Sequence, residues 1–92
     1  MMHHFRGKLM DGAETRLDPA NVYILYHHAS AIETGLGWNG YLLVEPDAGL
    51  EPGEVFRLTL TDGRSGDLRI DHVSPDEDGK LRAVFVGEGP LG

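Results

Sequence analysis

The residues best suited to chemistry are five histidines, His3, His4, His27, His28 and His72. Zinc takes three imidazoles plus a carboxylate or water. Adjacent residues on a strand point to opposite faces, so each adjacent pair offers one ligand per face. A site therefore needs one member of each pair to converge with His72. His28 and His72 are the candidate metal ligands, and a histidine-based metal-binding protein or small metal-dependent enzyme is the alternative reading. In the preferred reading His72 is a hydrogen-bonded histidine on the core face at a barrel rim.

Other chemical motifs fail on spacing or context. Gly35-Leu36-Gly37-Trp38-Asn39-Gly40 matches G-x-G-x-x-G, but a dinucleotide site needs a helix to follow, and Tyr41-Leu42-Leu43-Val44 reads as strand. Asp76-Glu77-Asp78-Gly79 resembles part of a calcium loop but lacks the late glutamate, so it reads as a solvated turn. Ser65 lies in Gly63-Arg64-Ser65-Gly66-Asp67, with Asp where a nucleophile elbow needs Gly. Arg64 and Arg69 stand five apart, and Asp62 stands three before Ser65. PilZ domains, small barrels that bind cyclic di-GMP, carry R-x-x-x-R and D-x-S-x-x-G, so the resemblance stops at barrel size. No cofactor is expected, and the reading leans away from an enzyme.

Aromatic residues give the other candidate site. Trp38, Tyr23, Tyr26 and Tyr41 cluster around the glycine-rich loop. Such side chains bury large area while keeping a polar handle, in a core or at an interface. A binding surface is sought first in the loop Thr34 to Asn39. The candidate binding residues are Trp38, Asn39, Tyr41, Val84 and Val86. A barrel mouth near Trp38 could also take a small ligand.

Composition narrows the classes. The net charge is −7 with pI near 5.0, and the eight Lys and Arg are scattered. This argues against a nucleic-acid partner, which wants a basic footprint. There is no cysteine, which removes disulfides and thiolate metal sites. No apolar run approaches the ~20 residues of a membrane span, and the opening MMHHFRGK lacks a signal peptide's apolar stretch. The expectation is a soluble, cytoplasmic single domain without a membrane partner.

The elements that must position these residues read as short strands. Thirteen glycines and five prolines suit a turn-rich all-β fold. In Val55–Val73, Phe56, Leu58 and Leu60 alternate with polar residues, as do Leu68, Ile70 and His72. A two-residue Asp62-Gly63 turn would put one apolar set on the wrong face, so the loop must be odd-numbered. A three-residue loop would set Arg57 opposite Arg69. A five-residue loop, Asp62 to Gly66, pairs Leu60 with Leu68 and Leu58 with Ile70, and sets Arg57 opposite Asp71. Gly66 would then supply the positive φ.

His3 to Met10 reads as a strand with Phe5, Gly7 and Leu9 on one face, and Asp11-Gly12 as a turn. Ala13 to Leu17 returns, and Asp18-Pro19-Ala20-Asn21 is a turn or a helix start. Val22 to His28 is a strand on its β-branched and aromatic content; the alternative is one helix over about residues 19–34. Trp38 to Glu45 is a strand, and Pro46 to Gly53 and Ser74 to Gly79 are loops. Lys80 to Val86 is the last strand. Pairing Val73 with Lys80 sets Arg82 opposite Asp71 and turns Val84 and Val86 outward. Gly87 to Gly92 is an extended tail. The predicted fold is a small antiparallel β-barrel or roll of six to seven strands. The predicted function is a non-enzymatic interaction or structural module with a protein partner or self-association.

Overall fold

The computed structural model describes residues 2–26 and 37–92. Six antiparallel strands close into a barrel: β1 (Met2–Asp11), β2 (Glu14–Tyr26), β3 (Trp38–Val44), β4 (Val55–Leu60), β5 (Ser65–Pro75) and β6 (Leu81–Gly87). Their order around the wall is β1-β2-β3-β6-β5-β4, and β4 pairs back onto β1. Closure pairs the strands that an open sheet would leave as edges. The α+β alternative is overturned where it can be seen, because residues 19–26 lie in β2. The rest of that helix, with His27 and His28, lies outside the described residues.

Period-two patterning builds the interior. Phe56, Leu58 and Leu60 from β4 and Leu68 and Ile70 from β5 are all buried. They meet Leu9, Val22, Ile24, Leu42, Ala83 and Phe85 from the other strands, and Leu81 packs against the same cluster. Burying a side chain of this size stabilises by roughly 1.5–3 kcal/mol relative to exposure. The expected common face of Val55–Val73 and β6 is therefore present.

Register differs from expectation at both hairpins. The β4–β5 loop is odd-numbered, but it has three residues, Thr61 to Gly63; it starts one residue before the three-residue loop that would set Arg57 opposite Arg69. The amide of Leu60 donates to the Arg64 carbonyl at 2.8 Å, and that of Gly63 to the Leu60 carbonyl at 3.0 Å. Phe56 thus faces Leu68, Leu58 faces Gly66, and Arg57 faces Asp67 rather than Asp71. The charge logic holds with a different acid: Arg57 Nη1 lies 3.1 Å from Asp67 Oδ1. The positive φ belongs to Gly63, at 96°, not to Gly66. A glycine in that conformation after a turn is what a three-residue hairpin loop requires.

The β5–β6 register is also shifted. Val73 pairs with Ala83, and Arg82 stands opposite Ser74, not Asp71. A bulge falls between Ile70 and His72. The extra residue reverses the alternation, so Val73 joins the core and His72 points to solvent. The core-face reading of His72 is overturned by that single residue.

β1 and β2 form the longest hairpin, turning at Gly12-Ala13 between Asp11 and Glu14. Neither the turn nor the helix start expected at Asp18-Pro19-Ala20-Asn21 occurs, because β2 runs straight through it. The register jumps there from Ala20 opposite Gly7 to Leu17 opposite Leu9. Asp18 and Pro19 together face Lys8, a bulge. β3 does not reach this part of β2, so Pro19 needs no N–H on that side.

The two ends of the barrel are closed differently. At one end Trp38 is 4% exposed and packs edge-on to Phe85, ring centroids 5.5 Å apart. Its indole Nε1 donates to the Gly89 carbonyl at 2.8 Å. The tail expected to be extended is bound over it. Gly92 and Ser65 exchange two backbone hydrogen bonds (3.0 and 3.2 Å), and Glu88 donates to Asp67 at 2.8 Å. Gly87 lies so close to the indole that a Cβ there would run into the ring. At the other end Arg16 spreads under the core. Its Nη2 donates to the carbonyls of Ala48 (3.4 Å) and Gly49 (3.2 Å), and its guanidinium lies 5.3 Å from the Phe56 ring centroid.

Candidate functional site

The outer faces of β2, β3 and β6 form the surface that carries most of the candidate residues. Three rows cross it, set by strand register. The central row runs His4, Tyr23, Tyr41, Val84, His72. On the Trp38 side lies the row Met2, Leu25, Asn39, Val86, Arg69. On the Arg16 side lies the row Arg6, Asn21, Leu43, Arg82, Ser74. The residues of these rows on β2, β3 and β6 are half-buried, because each leans on its cross-strand neighbour.

Aromatic stacking holds the central row. The rings of His4 and Tyr23 stack at 4.6 Å, and those of Tyr23 and Tyr41 at 4.8 Å. Arg82 places its guanidinium 4.3 Å from the Tyr41 centroid and is held by Asp76 at 3.0 Å. His4 Nε2 lies 3.4 Å from Asn21 Oδ1. Such stacked pairs add about 0.5–1.5 kcal/mol beyond their area. The result is an ordered surface of rings and branched aliphatics.

Of the five sequence-derived binding residues, four come together here. Asn39 pairs with Val86 and Tyr41 with Val84. Trp38 does not join them: it faces the interior and is part of the core. The glycine-rich stretch enters β3 directly at Trp38, so no helix opens after Gly37. Residues 34–36 of the loop first proposed for binding lie outside the described residues. Sequence reading missed Leu25, Leu43 and Arg82 as parts of this surface. Their period-two offset from Tyr23, Tyr41 and Val84 was the signal that could have found them.

Of the two metal candidates, His28 lies outside the described residues. Among the described residues no group of three or more His, Asp and Glu could hold a metal ion. His72 is exposed, its Nδ1 2.7 Å from Asp71 Oδ2 on the bulge. Ser65 is a structural contact, accepting from Arg57 Nη2 at 3.2 Å. At the β4–β5 turn the Asp62 carboxylate accepts from the Arg64 side chain and backbone, each at 3.0 Å. Those bonds, the side-chain one first, hold its carboxyl below the usual carboxylate range. Thr61, Asp62 and Gly63 are exposed, and Arg64 lies over the Phe5 ring at 4.9 Å.

The chain matches no family model, no curated protein and no solved structure, so the reading of this surface rests on its chemistry alone.

Proposed function

We propose that this barrel is a non-enzymatic interaction module whose contact surface is the outer wall of β2, β3 and β6. One observation carries the reading: Tyr23, Leu25, Tyr41, Leu43, Val84 and Val86 are contiguous on the outside of a wall whose inside is already filled. A core needs one apolar face per strand; these strands have a second. Tyrosine and arginine are also the residue types enriched where proteins meet.

Charge supports a second copy as the occupant. The acidic residues concentrate in turns, at Asp47, Glu51, Asp62, Asp76, Glu77 and Asp78. The wall between Tyr23 and Val86 holds none, so two chains of net charge −7 can meet there without opposing carboxylates. Sedimentation over a wide concentration range tests the reading. The wild-type chain is expected to associate. Val84→Lys should abolish that while costing about 1 kcal/mol or less, because the half-buried side chain lies on the outer wall and not in the core. A wild-type chain that remains monomeric at millimolar concentration contradicts self-association through this wall.

A further inference from the structure

A second surface is set by topology rather than by side chains. β2 is 13 residues long, yet β3 pairs with only Asn21 to Tyr26. From Glu14 to Ala20 the strand has β1 on one side and none of the described strands on the other. Among the described strands this stretch is an open edge, and open edges accept added strands.

Where β2 and β3 part, the gap forms a cleft of about 150 Å³. Leu17, Pro19, Ala20 and Val44 line it, and the Glu45–Lys80 ion pair stands at its rim. Asn21 also lines the cleft, so its wall is mixed, polar beside apolar. An edge beside a cleft is the arrangement by which strand addition gains specificity: the backbone supplies hydrogen bonds, and a pocket selects a side chain.

Charge selects the occupant. Glu14 and Asp18 are exposed along this edge, and Asp47 is exposed in the loop that follows β3. The one basic residue of the stretch, Arg16, is engaged with the Ala48 and Gly49 carbonyls. A second copy is a poor partner, because pairing two such edges about Arg16 sets Glu14 against Asp18. Pro19 removes one donor, which keeps pairing short and blunts indiscriminate sheet extension.

We propose that the Glu14–Ala20 edge of β2 binds an extended basic segment of a partner protein by strand addition, seating one apolar side chain in the cleft between β2 and β3. Lysine or arginine on the added strand answers Glu14 and Asp18.

Selection of randomised displayed octapeptides against the intact chain tests this. Enriched peptides should carry Lys or Arg around a single Leu, Ile or Val. A synthetic copy of the enriched peptide should slow amide exchange within residues 14–20. N-methylation of one alternate set of its amides should abolish binding, and methylation of the other set should not. Asp18→Lys, a surface change, should weaken binding by about fivefold, the effect of one cross-strand charge pair. No enrichment overturns the proposal. So does enrichment of acidic peptides, tolerance of both methylation patterns, or protection confined to the Tyr23–Tyr41–Val84 wall.

Discussion

The two ends of the barrel solve one problem with opposite materials. Each end of a closed sheet exposes the last ring of core side chains. At one end the answer is apolar: the Trp38 indole lies across the core, with Gly87, Gly66 and the tail through Gly92 fitted around it. At the other end the answer is a cation: Arg16 covers Phe56 and ties down the Ala48–Gly49 backbone. The first plug buries area and satisfies its one polar atom. The second keeps its charge near water, with Asp11 and Glu54 carboxylates each 4.0 Å away. The difference teaches where stability and adaptability lie. The Trp38 end should be the rigid one, and the Arg16 end, where β2 leaves β3, should be the one that yields.

Substitutions at each plug should separate the ends by size of effect. Trp38→Ala is expected to be the most damaging. It empties the ring's space and releases the tail, for a loss of about 3–5 kcal/mol in chemical denaturation. Equal damage from Arg16→Ala would remove the contrast. That change is expected to cost about 1–2 kcal/mol, from hydrogen bonds to carbonyls and a partly solvated cation–π contact. The smallest effect is at the rim of the Trp38 end, where Asp62 is held by Arg64. Its carboxyl titrates below the ordinary value of 3.8. Its contribution to stability is therefore present above that ordinary value and lost as pH falls through the lowered one. Carboxyl-detected NMR should show the depressed titration, and Arg64→Ala should raise it only part of the way back, because the residue-64 backbone amide still donates.

Much of the barrel could be read from pattern, because a period of two is a direct signature of one buried face. Phe56, Leu58, Leu60, Leu68 and Ile70 sit where alternation puts them. What pattern misses is a single residue out of step. The bulge before His72 cannot be seen in Asp71-His72-Val73, since all three suit a strand; its cost and gain are settled by β6, which is distant in sequence. Pro19 misleads in the opposite way. Proline reads as a turn, but an edge strand tolerates it where no donor is needed, and only the topology shows that this stretch is an edge. The hairpin register shows a third limit. Arg57 has acids available at both 67 and 71, so charge pairing admits two answers. The turn decides, because Gly63 can adopt the positive φ one residue after Asp62. The wall of Tyr23, Tyr41 and Val84 was half-legible: Val84 and Val86 were read as outward, but the partner strands that complete the surface come from long-range pairing.

Residue-resolved amide exchange along β2 in the unliganded chain tests the unequal ends most directly. Asn21 to Leu25 lie between β1 and β3 and should exchange only through opening of the barrel. Between Thr15 and Ala20, amides turned away from β1 have no partner among the described strands and should exchange orders of magnitude faster under the same conditions. Uniform slow exchange from Thr15 to Leu25 would contradict the open edge. It would mean that the Glu14–Ala20 side of β2 is already occupied.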